Sequence, residues 1–173
     1  GAMTMIDVTL YATVSLDGRI AAADGGFDWI AHDYSLDAFH AACRAADAVL
    51  VGRRAADAYG AAGMWPLPAR RLIVWRRGPS DATAESMQGS PVDVLERLSE
   101  TGCRSLLIAG GAQTATDFAA HGCLQHVRLD IQPAWLGHGL PLFANPPGPD
   151  LRLQLVDSQR QGPVTHAHYA VLR

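Results

Sequence analysis

The sequence predicts an α/β fold of three layers: a mostly parallel central sheet with helices on both faces and a C-terminal antiparallel hairpin. Three observations predict it. Short apolar runs without alternation recur at residues 48–51, 72–75 and 106–109, as in strands buried on both faces. Segments of helical spacing lie between them, the order that produces crossover connections and a parallel sheet. The end of the chain then changes character. Residues 151–157 and 164–172 alternate apolar and polar about Gln161-Gly162-Pro163, which is the pattern of a hairpin.

Each element has its own signal. Residues 5–14 form a first strand (Ile6, Val8, Leu10, Ala12, Val14), which ends in the turn Ser15-Leu16-Asp17-Gly18-Arg19-Ile20. A loop with Gly25, Gly26 and Trp29 follows. Residues 36–46 repeat apolar positions at helical spacing (Leu36, Phe39, Cys43), with Asp33 or Ser35 as the expected N-cap. The strand at 48–51 runs into Gly52-Arg53-Arg54 and a short helix to Tyr59. A loop over 60–68 carries Met64 and Trp65, and the strand at 71–75 closes on Arg76-Arg77. Residues 78–90 are polar and read as irregular. Residues 92–101 form an amphipathic helix, with Val92, Leu95 and Leu98 on one face and Gly102 as its stop. The strand at 105–108 meets Gly110-Gly111 and a helix beginning near Ala112. A fifth strand is expected at 124–133, then a glycine-rich turn through Trp135 to Phe143 and a proline-rich loop at 145–149.

Composition narrows the function. The chain has 173 residues, 49% of them apolar, enough for one domain that buries about 70% of its unfolded surface. That domain is expected over residues 6–173, with residues 1–5 read as an expression scar and a disordered start. All fourteen basic residues are arginine. Without lysine there is no Schiff-base chemistry and no phosphate loop of the GxxxxGK type. A net charge of −3 without a basic stripe argues against nucleic acid as a partner. No apolar run is long enough for a membrane span, and no signal-peptide pattern opens the chain. Three widely spaced cysteines suit reduced thiols. A cytoplasmic location is expected.

Ligands of open parallel sheets bind outside the carboxyl ends of the strands. Gly110 and Gly111, with the amides of Ala112, Gln113 and Thr114, suit a pyrophosphate at a helix start. Arg53, Arg54, Arg76 and Arg77 suit an isolated phosphate, which guanidinium forks match bidentately; alternatively they are solvated or pair with Asp57 and Asp81. Together the two features favour NADPH over NADH. Asp17 is a candidate substrate anchor or proton relay, the latter if partial burial raises its pKa; the alternative is that it caps its turn. Trp29, Tyr59, Met64 and Trp65 are candidates to wall a flat heterocycle, or pack locally. His166 and His168 share a strand face, but without a third ligand no metal site is assigned.

Four motifs occur in order: Val14-Ser15-Leu16-Asp17-Gly18-Arg19-Ile20-Ala21, Asp47-Ala48-Val49-Leu50-Val51-Gly52-Arg53-Arg54, Ile108-Ala109-Gly110-Gly111-Ala112, and Pro133-Ala134-Trp135-Leu136-Gly137-His138-Gly139-Leu140-Pro141-Leu142-Phe143. With them the chain resembles the dihydrofolate-reductase-like family, in particular the reductase domain of the bacterial riboflavin-biosynthesis deaminase-reductase and its stand-alone relatives. The resemblance implies an NADPH-dependent oxidoreductase, often a homodimer, acting on a small pyrimidine- or pterin-like molecule. The riboflavin enzyme reduces 5-amino-6-(5-phosphoribosylamino)uracil, opening its ribose to the ribitylamino form. By resemblance the cofactor lies across Gly52, Arg53, Arg54, the strand end at Trp75, Arg76 and Arg77, and residues 110–114. The substrate lies near Ala12, Asp17 and the loop after Gly18, and Ser15 joins this set as a candidate from its place at the end of the first strand. Two departures stand out. Ala109 occupies a position usually acidic in the riboflavin enzymes, and Gln125-His126 stands where an acidic pair is expected. No deaminase zinc signature occurs, so the resemblance is closer to the stand-alone members. Asp33 or Asp37 is a loose counterpart of the carboxylate that a true dihydrofolate reductase carries. An alternative in another class is a dinucleotide- or ligand-binding protein of the same fold without turnover.

Overall fold

A computed structural model describes residues 6–76, 83–144 and 150–172. The elements in chain order are β1 (Asp7–Val14), β2 (Arg19–Ala21), α1 (His32–Ala45), β3 (Ala48–Gly52), α2 (Arg53–Ala61), β4 (Leu72–Trp75), β5 (Glu85–Met87), α3 (Pro91–Glu100), β6 (Ser105–Ile108), α4 (Ala112–Ala120), β7 (His126–Ile131), β8 (Leu140–Pro141), β9 (Leu153–Gln161) and β10 (Val164–Val171). Eight strands form one sheet in the order β5-β4-β3-β6-β1-β7-β10-β9, and β2 pairs with β8 separately. All neighbours from β5 to β7 are parallel, and β10 then runs antiparallel to both β7 and β9. The fold is the three-layer, mostly parallel α/β sheet with a terminal hairpin that the sequence predicts.

Strand residues alternate between two cores, because successive side chains leave a strand on opposite faces. Val8, Leu10, Leu50, Ile73, Trp75, Leu106 and Ile108 join Val94, Leu95 and Leu98 of α3 and Ala115 and Phe118 of α4. Tyr11, Val49, Val51, Leu72, Val74 and Leu107 face Phe39, Ala42 and Cys43 of α1 and Ala56 of α2. The unbroken apolar runs are therefore needed on both faces. All three cysteines are buried.

Several local expectations are corrected. α1 starts at His32 behind Ala31, with neither Asp33 nor Ser35 as its cap. Instead the buried Gln132 reaches across: its Oε1 accepts from the Ala31 amide (2.8 Å) and its Nε2 donates to the buried Ser35 hydroxyl (2.9 Å). A distant side chain does the work of a cap, which no local pattern reveals. In α3 the buried face is Pro91, Val94, Leu95 and Leu98, whereas Val92 is 42% exposed. Its start is a capping box, with Ser90 Oγ accepting from the Asp93 amide and the Asp93 carboxylate accepting from the Ser90 amide. Within the stretch read as irregular, β5 pairs parallel to β4. A three-residue edge strand with two exposed members carries no periodic signal. β2 was likewise hidden inside a turn, and it exists because β8 pairs with it. Residues 145–149, Gly78, Pro79 and Asp81 lie outside the described residues.

Candidate active site at the carboxyl rim of the sheet

β4, β3 and β6 are adjacent and parallel, so their carboxyl ends emerge side by side. Gly52 lies in register with Trp75 and its amide donates to the Gly110 carbonyl at 2.9 Å. A Cβ on Gly52 would stand 2.4 Å from Thr114 Oγ1, so β3 meets α4 only because glycine is there. Gly110 takes a φ of +116°, open to glycine at little cost, and its peptide bond to Gly111 is cis. Gly111 is the N-cap of α4 without a side-chain cap. The first amides of α4 therefore face the rim with no side chain of their own cap bonded to them. Beneath this turn, Tyr59 donates its hydroxyl to the Ala109 carbonyl (2.6 Å) and stacks on Phe39. Burial pushes the Tyr59 pKa well up, so it serves as a fixed neutral donor.

The arginines differ among themselves. Arg53 and Arg54 open α2 and are exposed, with Arg53 Nε 3.2 Å from Asp57. Arg76 follows β4 at φ +67° and lays its guanidinium 3.8 Å over the Trp75 ring, bonding Asp117 at 3.2 Å. Arg77 lies outside the described residues. Trp75 brings its backbone to the rim beside Gly52, with its ring under the Arg76 guanidinium. The indole is 3% exposed, donates to the Gly89 carbonyl and packs edge-on against Phe118. Ala112 and Thr114 are buried, and Gln113 is exposed with its amide on Asp117.

At the neighbouring tip of β1, Ser15 and Asp17 are engaged with each other. Ser15 Oγ donates to the Asp17 carboxylate (2.6 Å) and accepts from the Arg19 amide (2.9 Å). The same carboxylate accepts from the amides of Leu136 (3.1 Å) and Gly137 (2.8 Å). These donors, the Ser15 hydroxyl foremost, lower the Asp17 pKa to about 2. The shift is thus downward, not the rise that partial burial would bring, and the carboxylate bridges the turn after β1 to the loop at Leu136 and Gly137. Further bonds join Leu16 to Ala134, Arg19 to Gly139 and Leu142 to Gly18. Gly139 is required, since a Cβ there would lie 2.1 Å from the Ala21 carbonyl oxygen.

The remaining candidates are scattered. Ala12 is half-buried in β1 opposite Leu129 of β7. Trp29 is half-buried and bonded to Gly26 within its own loop. Trp65 donates to Thr83 and lines a groove of about 320 Å³ with Leu36, His40, Arg44, Met64 and Pro66. Sequence reasoning missed Asp117, whose only signal is its place four residues after Gln113 on α4. It also missed the buried Asp130, which accepts from the Tyr11 hydroxyl and bonds His166 Nδ1. A signal existed: His126, Arg128 and Asp130 alternate with Val127, Leu129 and Ile131 in the strand expected at 124–133. Among the described residues no His/Cys/Asp/Glu group is placed to hold a metal ion, and no helix is long and apolar enough to cross a membrane.

Comparison with known proteins adds a family to this geometry. The model of the RibD C-terminal domain matches residues 7–167. The riboflavin biosynthesis protein RibD of Corynebacterium ammoniagenes is 31% identical over 156 residues, covering 80% of this chain and 46% of that protein. The chain thus spans about half the length of that relative. The uncharacterized protein YwjB of Bacillus subtilis is 26% identical, covering 92% of this chain and 95% of its own length. Among solved structures, a putative riboflavin biosynthesis protein from Shewanella sp. PV-4 superposes with a TM-score of 0.82 at 22% identity, covering 97% of this chain and 100% of that one. A dihydrofolate reductase from Enterococcus faecalis, complexed with NADP(H) and RAB-propyl, gives 0.72 at 14% identity over 99% of both chains.

Proposed function

Since the chain belongs to the RibD C-terminal domain family, we propose that it is an NADPH-dependent reductase of a small pyrimidine- or pterin-like heterocycle, resembling 5-amino-6-(5-phosphoribosylamino)uracil reductase. The observation that carries this reading is the bond from the Gly52 amide to the Gly110 carbonyl beside the uncapped start of α4. It sets two glycine backbones and a helix N-terminus on one rim, a cradle that a Cβ on Gly52 would close.

The residues present fit such a dinucleotide. Gly110, Gly111 and the amides of Ala112, Gln113 and Thr114 would hold the pyrophosphate, with Arg53, Arg54 and Arg76 as candidate partners of the 2′-phosphate and Arg77 a fourth offered by the sequence alone. The cofactor, when bound, supplies a hydride; the protein's part is to orient and to exclude water. Asp17 acts as a positioning residue, fixing the loop from Ala134 to Gly139 against β1, where the substrate would sit near Ala12. The same reading implies a homodimer. Trp135 and Leu16, 73% and 69% exposed, offer an apolar patch for a second copy, and Trp135→Ser is expected to shift sedimentation toward monomer.

The test is a titration of the full chain with NADPH and NADH, followed by turnover on the aminopyrimidine substrate. Saturable binding that prefers NADPH, weakened about tenfold or more in Arg53→Ala or Arg76→Ala, with NADPH consumed on adding substrate, is the expected result. Binding without turnover across pyrimidine, pterin and quinone acceptors would indicate a ligand-binding protein. Absence of dinucleotide binding would overturn the proposal.

A further inference from the structure

Arg76 is held in an unusual way. Its amide donates to the Met87 carbonyl at 2.6 Å, its own carbonyl accepts from the Gln88 side chain, and its φ is +67°. The backbone is therefore pinned between β4 and β5, and only the side chain can change its partners. One face of that group rests on the Trp75 ring, which is locked into the core by its bond to Gly89 and its contact with Phe118. Its edge bonds one oxygen of Asp117, and Gln113 holds the other oxygen at 3.0 Å. Arg76 remains half exposed while the Asp117 carboxylate is only 21% exposed. An anion approaching Arg76 would meet an already engaged cation and a fixed negative charge beside it.

From this arrangement we infer that Asp117 is a specificity-determining residue, a latch that competes with the 2′-phosphate for Arg76 and sets how strongly the protein prefers phosphorylated dinucleotides. The inference rests on the dinucleotide reading above. A terminal phosphate carries close to two charges, so a carboxylate within one guanidinium's width opposes it more than it opposes a neutral 2′-hydroxyl. Arg76 must also give up its bond to Asp117 before it forks around phosphate oxygens. Both effects weaken if residue 117 is uncharged, and both bear mainly on a ligand that carries the 2′-phosphate.

The experiment measures calorimetric affinities of 2′,5′-ADP and 5′-ADP for the full chain and for Asp117→Asn, Asp117→Glu, Arg76→Ala and the double variant Asp117→Asn/Arg76→Ala. Asp117→Asn is expected to tighten 2′,5′-ADP about tenfold and to leave 5′-ADP within about twofold. Asp117→Glu, which keeps the charge, should retain the wild-type ratio, and in the Arg76→Ala background the Asn substitution should lose most of its effect. An unchanged or reduced ratio in Asp117→Asn overturns the latch, as does equal tightening of both nucleotides. If neither nucleotide binds any variant, the dinucleotide reading falls and the latch with it. Binding by wild type with a ratio indifferent to residue 117 sinks the latch alone.

Discussion

The two ends of the eight-stranded sheet are built of different materials. From β5 to β1 every join is parallel, and the middle strands are sealed between α1 and α2 on one face and α3 and α4 on the other. From β7 to β9 the joins turn antiparallel. There the strand faces carry His126, Arg128, Asp130, His166 and His168, and β9 is exposed along its whole length. The covered end has no room at its tips, so its connections are glycine and the candidate site is backbone. The open end is held by hydrogen bonds between side chains, such as His168 to His126 (3.0 Å) and His126 to Asp7 (3.1 Å). The glycine cradle thus lies at the end sealed on both faces, whereas the other end exposes β9 and pairs its polar groups with one another.

The sharpest way to break that contrast is to remove one large apolar side chain from each end. Phe118 is fully buried against Trp75, so Phe118→Ala should cost about 3–5 kcal/mol through lost transfer energy and the cavity left behind. Leu155 on β9 is 52% exposed, and Leu155→Ala should stay within about 0.5 kcal/mol in the monomer. Urea unfolding of the two variants measures both. Comparable losses would mean that the hairpin carries core stability, and the contrast would be gone.

The open end has one buried dependency. Asp130 is 2% exposed, with Tyr11 and His166 on its carboxylate. Tyr11→Phe removes one donor and leaves the charge in place, at a cost of about 3 kcal/mol, the upper part of the range for a buried acceptor stripped of a partner. Tyr11 itself stays protonated throughout, since burial foremost and the neighbouring Asp130 push its pKa up. Tyr11 therefore adds no pH dependence of its own to the loss below about pH 9, a range well below an ordinary tyrosine pKa. A loss well under about 1 kcal/mol would mean that the Asp130 carboxylate does not depend on the Tyr11 donor.

At the covered end the corresponding liability is Gly52. In Gly52→Ala the new methyl would meet Thr114 Oγ1 at 2.4 Å, and overpacking of this kind costs about 1–3 kcal/mol. Adding Thr114→Ala should restore part of that stability by removing the obstructing oxygen. Recovery of stability without recovery of nucleotide affinity would separate the packing role of the glycine from its place in the cradle.

How much of this was legible in the sequence follows the same division. The parallel strands showed themselves because burial on both faces demands unbroken apolar runs. The glycine pair was visible because it follows such a run directly. Elements whose existence depends on a distant partner left no local trace: β5 needs β4, β2 needs β8, and the start of α1 needs Gln132. Within the candidate site, Gly52, Arg76 and Gly110 could be brought to one rim by topology alone. The carboxylate that engages Arg76 could not, because a polar residue on an exposed helix turn looks the same whether solvated or paired. Asp17 was legible as a position, and part of its environment lies close by in Ser15, but the amides of Leu136 and Gly137, 119 and 120 residues away, left no local trace.

Asp17 also provides the finest test. Its pKa is lowered from 3.8 to about 2, first by the Ser15 hydroxyl and then by the Leu136 and Gly137 amides, with partial desolvation acting against them. A carboxyl whose folded pKa is depressed contributes stability that is complete above its unfolded pKa and is lost as pH falls through the folded one. Asp17→Asn should therefore lower the melting temperature by a small, constant amount from about pH 5 to pH 8. Wild type and variant should converge as the pH approaches about 2, the folded pKa. The effect is local, so amide exchange at Leu136 and Gly137 should quicken in the variant while Leu50 and Ile108 of the covered end stay protected. A difference that instead grew toward acid would require a raised pKa. It would return Asp17 to the role of a proton carrier and take away the anchor that ties the loop at Ala134 to the tip of β1.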